Sequence, residues 1–247
     1  MTPMRLLDDG AADGTWNMAV DEALWRSADD RSWPVLRLYS WRPATLSLGY
    51  FQSADDRMLH PPSANLAWVR RATGGGAIVH DREITYSLIW PRCGADSMTA
   101  LEMYDRVHHA WRRALLTLGV DMVLCEGGRA GDSKRPPYLC FLRRGVGDGM
   151  VGGHKVLGSA QRRSRSALLQ HGSLLWRRSQ WAPELPGLAD LMGWVDDAER
   201  LRRQGVAELA RALGCHLVDS ELSEIEREMA DRIRRQRYAD RAWNQRR

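Results

Sequence analysis

The chain has 247 residues, 44% of them apolar and 27% charged, which is the balance of an ordinary globular protein with a substantial core. No apolar run approaches the roughly 18–20 residues that a membrane helix needs, and the N-terminal MTPMRLLDDG lacks the apolar segment of a secretory signal, so the expected location is the cytoplasm. Residues 227–247 carry eight arginines against Glu228, Asp231 and Asp240; this accounts for the whole formal charge of +5 and leaves a neutral body, which argues against nucleic acid as the partner.

Asp13 or Thr15 caps a first helix in which Trp16, Ala19, Val20, Ala23 and Leu24 recur at helical spacing. Strands follow after Pro34 (VLRLYSW) and over Thr45–Gln52, with Arg42-Pro43 as the turn between them and a short helix expected over 53–60. Leu66–Val69 leads into three consecutive glycines, and Glu83–Trp90 is the next strand. Met98–Leu118 predicts a long helix with Leu101, Tyr104, Val107, His108, Trp111, Leu115 and Leu118 near one face, ended by Gly119. Val120–Leu124 reads as a strand, 126–137 as a flexible loop, and 138–142 as a short apolar island. A glycine-rich stretch over 145–153 precedes a hairpin of His154–Arg163 and Ser166–Trp176, and helices are expected near 198–213 and 219–237. The order is α+β rather than a regular βαβ alternation. We expect one catalytic domain over 1–195, a mixed or antiparallel sheet flanked by helices, with a helical C-terminal extension over 196–247 packed on it.

The organising stretch is Arg70–Asp81, RRATGGGAIVHD. A glycine triplet gives up much backbone entropy on ordering, so it marks a close approach of backbone to something else, or else a tight hairpin whose glycines only satisfy turn geometry. Gly147–Gly152 matches G-x-G-x-x-G, but a strand-like run follows where a dinucleotide site needs a helix N-terminus, so that reading fails. Cys93, Cys125, Cys140 and Cys215 form no C-x-x-C pair, which argues against zinc and against a disulfide framework. The histidines show no metal spacing, and no metal site is expected. Cys140 is the candidate of interest. A thiolate exchanges readily with a thioester, and Lys155, one of only two lysines (with Lys134), could stabilise it, with glycine-rich backbone bringing the two together. A buried, inert cysteine is the competing interpretation.

Eight stretches in order along the chain carry a resemblance: WNMAVDEAL (16–24), RPATLSLGYFQ (42–52), RRATGGGAIVHD (70–81), EITYS (83–87), CF (140–141), HKVLGSAQ (154–161), QHGSLL (170–175) and RY…WNQR (237–246). On these the chain resembles the lipoate/biotin protein ligase catalytic superfamily, and most closely its cysteine-dependent octanoyltransferases. The resemblance implies that Arg70, Thr73, Gly74, Gly75, Gly76 and His80 line an acyl pocket, that Gly158, Ala160, Gln161, His171 and Gly172 shape its far wall, that Lys155 contacts the acyl carbonyl, and that Cys140 accepts the acyl group. Cys93, Cys125 and Cys215 match no such motif and are expected to be structural.

The implied reaction moves octanoyl from acyl carrier protein through a cysteine thioester to a lysine of a lipoyl domain, as in the glycine cleavage H protein or 2-oxoacid dehydrogenase E2 subunits, by a monomer without cofactor. Three alternatives stay open at this point. The first is a lipoate–protein ligase using ATP and Mg²⁺, which the lack of room for an extra C-terminal domain disfavours. The second is an amidotransferase between lipoyl-bearing proteins. The third is a non-catalytic paralogue that only binds acyl carriers, or an arginine-tailed nucleic-acid binder, for which the Gly/Arg-rich segment 142–153 is the best support.

Overall fold

A computed structural model describes residues 1–29, 32–92, 98–127, 136–194 and 198–246. Cys93, Lys134, most of the loop expected over 126–137 and the expected boundary at 195/196 lie outside them. The elements are β1 (Thr2–Ala12), α1 (Gly14–Ser27), β2 (Val35–Trp41), β3 (Thr45–Leu48), β4 (Ala67–Arg70), β5 (Ile78–His80), β6 (Glu83–Pro91), α2 (Ala100–Leu116), β7 (Val123–Leu124), β8 (Gly149–Val151), β9 (His154–Arg163), β10 (Ala167–Leu175), α3 (Leu188–Met192), α4 (Ala198–Ala212), β11 (Cys215–Asp219), α5 (Glu224–Ile233) and α6 (Arg241–Asn244). The eight-stranded mixed sheet runs β11-β1-β2-β6-β10-β9-β8-β7, and a small second sheet runs β4-β3-β5. The expected α+β architecture, a sheet flanked by helices, is what the chain adopts.

Strand alternation divides the large sheet's two faces. Leu36 and Leu38 of β2, Ile84, Tyr86 and Leu88 of β6 and Leu168 and Leu174 of β10 meet Trp111 and the rest of the buried face of α2, with Leu201 and Leu209 of α4 behind. On the opposite face Val35, Tyr39, Ile89 and Leu169 meet Val20, Ala23 and Leu24 of α1, with Ala230 and Ile233 of α5 outside them. A third core joins the small sheet to the 138–142 island: Leu46, Leu48, Ala77, Val79, Leu139 and Phe141 pack together.

Helix α1 starts where Asp13 accepts the N–H groups of Thr15 (2.9 Å) and Trp16 (3.0 Å). In α2 a reciprocal Thr99–Glu102 capping box sets the start. The face expected for α2 is right except at Leu101, which is 83% exposed; Met103 takes the buried place. β1, β5, β8 and β11 were not legible in the sequence. β1 contains Arg5, Asp8 and Asp9 because only its inner positions Met4 and Leu7 need to be apolar. β11 lies within the segment expected to be purely helical and pairs in parallel with β1, so the C-terminal part adds a strand to the main sheet. The arginine-rich end is tied to the body: Arg237 pairs with Glu22 at 2.8 Å and Arg234 with Asp13 at 2.7 Å.

The glycine triplet is not the turn of a hairpin. β4 and β5 pair with opposite edges of β3, β4 in parallel and β5 antiparallel, so the loop between them crosses over the end of β3.

Candidate active site

The glycine loop forms the roof of a slot whose floor is the α1-side face of the large sheet. Its walls are Met18, Tyr39, Trp41, Thr85, His171 and Ser173 at one end, and Gly74, Gly75, Cys140, Phe141, Gly158 and Ala160 at the other. The cavity itself is narrow, about 50 Å³; the space between the lining atoms, with the solvent at its mouth, is about 490 Å³. Apolar and aromatic walls with a few convergent polar groups are what a site for an apolar ligand needs.

Cys140 begins a single 3-10 turn, Cys140–Leu142, locked to the loop by its N–H, which donates to Ala77 O at 2.7 Å. The contact is close because Gly76 has no side chain: a Cβ there would lie 2.9 Å from Cys140 N. At Gly75, with φ of +98°, the backbone takes the left-handed conformation that favours glycine, and a Cβ would stand 3.9 Å from Cys140 Sγ. Lys155 of β9 reaches the same point: its Nζ lies 3.9 Å from Cys140 Sγ and 3.5 Å from Cys140 O. Gly158 makes room for it, since a Cβ there would lie 2.7 Å from Lys155 Cε. The thiol and amine fifteen residues apart in sequence therefore do meet.

Of the residues expected in the pocket, Gly74, Gly75, His80, Gly158, Ala160, His171 and Gly172 line the slot with Cys140. Gly76 and Lys155 sit directly behind Cys140, and Thr73 lies one layer back, its hydroxyl bonded to His171 Nε2 at 2.7 Å. Two expectations are corrected. Arg70 does not line the slot: its guanidinium donates to Asn244 O, Gly49 O and Gln52 O, pinning α6 to the loop after β3. Its neighbour Arg71 lines the slot instead, donating to Gly74 O and Gly76 O, both at 2.7 Å, and to Ser47. Successive side chains leaving a strand point opposite ways, which decides between the two arginines. Gln161 is likewise turned off the slot, toward Ala100 O and Gln170.

Arg71 is the cation that the sequence reasoning missed. Burial lowers its pKa to about 10, with Cys140 opposing that shift and Arg143 adding to it. Asp21 was missed too, although WNMAVDEAL contains it. Its carboxylate accepts from Arg37 (2.8 Å), Ser87 (2.8 Å), Tyr39 (3.0 Å) and His171 Nδ1 (3.0 Å). Burial works against the charge, but the bonds from His171, Arg37 and Ser87 prevail and hold the Asp21 pKa below its ordinary value. His171 thus bridges Asp21 and Thr73, its Nδ1 donating to the carboxylate and its Nε2 bonded to the Thr73 hydroxyl.

His80 is also fully engaged: it stacks on Trp41 at 3.8 Å, and its nitrogens meet Glu83 and Ser47. Beneath the slot, buried His108 donates from Nδ1 to Gly147 O and accepts from Ser159, which accepts from Tyr86, each at 2.6 Å. Burial drives the His108 pKa down to about 3 and pushes Tyr86 up to about 12, so both are neutral at physiological pH. Cys215 is buried, and burial raises its thiol pKa; Cys125 is half-exposed, bonded to Gly127 O at 3.0 Å. Neither reaches the slot. Among the described residues no group of three or more His, Cys, Asp or Glu is arranged to hold a metal ion, and no helix is long and apolar enough to cross a membrane.

The architecture is that of the lipoate protein ligases. Superposition on a lipoate-protein ligase A bound with ATP gives a TM-score of 0.80 over 98% of each chain at 23% identity, which speaks for the fold alone. The sequence defines the class more closely: the lipoyl protein ligase A/B catalytic domain family model matches residues 13–237, and the chain belongs to that family. Among similar proteins, the octanoyltransferase LipM of Kyrpidia tusciae is 35% identical across the whole of both chains, and the octanoyltransferase LipM of Bacillus subtilis is 32% identical over 98% of each.

Proposed function

We infer that this chain is an octanoyltransferase of protein lipoylation, moving an eight-carbon acyl group from an acyl carrier protein to a lysine of a lipoyl domain through a thioester on Cys140. The acyltransferase class agrees with the end-to-end likeness to octanoyltransferases. The observation that carries the mechanism is the pair at the slot mouth, Cys140 Sγ with Lys155 Nζ 3.9 Å away. In the first half-reaction the Cys140 thiolate attacks the donor thioester. The new carbon–sulfur bond forms as the old one breaks, and the carrier thiolate leaves and takes up a proton. In the second, the neutral amine of the acceptor lysine attacks the acyl-enzyme; an amide forms, the Cys140–carbon bond breaks, and the amine's proton returns to the thiolate.

Lys155 stabilises the thiolate and steadies the carbonyl oxygen as charge develops on it. The acyl chain lies along the slot toward Met18 and Trp41, where burial contributes roughly 0.8 kcal/mol per CH₂. Gly74, Gly75, His80, Gly158, Ala160, His171 and Gly172 shape that slot. This route uses no ATP and no metal. The acceptors we propose are the glycine cleavage H protein and E2 lipoyl domains.

The test is acceptor modification. With octanoyl-acyl carrier protein and a lipoyl domain but no ATP, the protein should octanoylate the domain. Modification only with lipoate, ATP and Mg²⁺ would make it a ligase; modification only from an octanoylated H protein would make it an amidotransferase.

A further inference from the structure

We propose that Asp148 is a positioning residue for acyl transfer, holding the Lys155 ammonium against the Cys140 thiol; this rests on the roles given above to Cys140 and Lys155. Asp148 sits in the G-x-G-x-x-G stretch that no dinucleotide explains. Its Oδ2 lies 2.7 Å from Lys155 Nζ and accepts the Gly145 N–H at 2.7 Å, while Oδ1 accepts the Tyr104 hydroxyl at 3.2 Å. Both members of the ion pair are buried, with side chains 5% and 7% exposed. The carboxylate is thus fixed from three sides: by the turn before β8, by α2 and by β9. The flanking glycines explain themselves in the same way. At Gly147, with φ of +82°, a Cβ would meet the Tyr104 ring at 2.7 Å, and at Gly149 it would meet Met122 Sδ at 2.5 Å. The motif's glycines let Tyr104 and Met122 close over the loop that carries Asp148.

An ammonium has three protons and no acceptor of its own. One is directed to Asp148, and Cys140 O at 3.5 Å and Cys140 Sγ at 3.9 Å are within reach of the others. Without the carboxylate, Lys155 would be a buried cation beside Phe141 with no counter-charge, free to swing or to lose its proton. The other charged or titratable groups facing this corner are Arg71 and Arg143 near Cys140, and His108 and Tyr104 from α2. The contribution of Asp148 is to place the amine.

The experiment is single-turnover acylation of Cys140 from octanoyl-acyl carrier protein, followed by quench and intact mass at several donor concentrations. Asp148→Asn should slow acylation on the order of 100-fold, the cost of a misplaced catalytic group, with half-saturation by the donor unchanged. Asp148→Glu should restore part of the rate. In a Lys155→Met background, Asp148→Asn should cost nothing further, and that double variant carries no unpaired buried charge if the single one fails to fold. A wild-type rate for Asp148→Asn beside an inactive Lys155→Met overturns the proposal alone, as does an equal loss from Asp148→Asn with or without Lys155. A wild-type rate for Lys155→Met removes the Lys155 role, and this proposal with it.

Discussion

Two buried ionic groups border the slot, and they differ in how completely they are satisfied. Under the far end, Asp21 accepts four hydrogen bonds, from Arg37, Ser87, Tyr39 and His171, two on each oxygen. At the mouth, Lys155 has one close partner, Asp148, and its remaining protons face Cys140. The first group has no capacity left for a ligand and acts as scaffold, fixing β2, β6 and β10 against α1. The second keeps its remaining donors toward Cys140, whose thiol lines the slot where an acyl carbonyl would arrive. Saturation distinguishes wall from reactive centre more sharply than burial does, because both groups are buried.

The largest effect expected from breaking this contrast is on stability. Asp21→Ala leaves the fully buried Arg37 guanidinium with Asp9 as its remaining counter-charge and strips the acceptor from Ser87, Tyr39 and His171, and should destabilise the protein by about 3–5 kcal/mol in urea unfolding. Because the folded Asp21 pKa lies below its ordinary value of 3.8, its contribution is complete above that pH and is lost as pH falls through the folded value. Gly158→Ala should do the reverse at the other group. The new Cβ pushes on the flexible end of Lys155 rather than on backbone, so the melting temperature should hold while acylation falls on the order of 100-fold.

His108 provides an uncharged control between the two. Its folded pKa of about 3 lies below the ordinary 6.5, so the unfolded chain binds a proton in the interval that the folded protein does not. Stability should therefore drop as pH falls below 6.5, by about 2 kcal/mol at pH 5, and His108→Gln should flatten that slope in urea titrations at pH 7.5 and 5. The smallest effect is at Thr73→Val, which removes one bond to His171 and should cost about 1 kcal/mol without shifting the Asp21 network.

Much of the fold was legible because its elements are locally consistent. The Asp13 cap, the β9–β10 hairpin and the strand after Pro34 carry period, turn and cap signals together. β1 and β11 escaped because strands at or next to a sheet edge tolerate charges, and β11 is only five residues long between two helices. At the site, the glycine triplet and the Cys140–Lys155 pair could be read from chemistry and family likeness. The choice of Arg71 over Arg70, and of Ala160 over Gln161, could not, since it turns on which side of a strand each residue leaves. Asp148 was hidden for a different reason: its partners Tyr104, Gly145 and Lys155 come from three separate elements, and only the fold brings them together.

The central claim is a covalent acyl-enzyme on Cys140, and intact-protein mass after mixing with octanoyl-acyl carrier protein, without ATP, tests it most directly. The account predicts one octanoyl increment on the wild-type protein and none on Cys140→Ala. An increment that persists in Cys140→Ala, or its absence from a wild-type protein that still octanoylates a lipoyl domain, would contradict it.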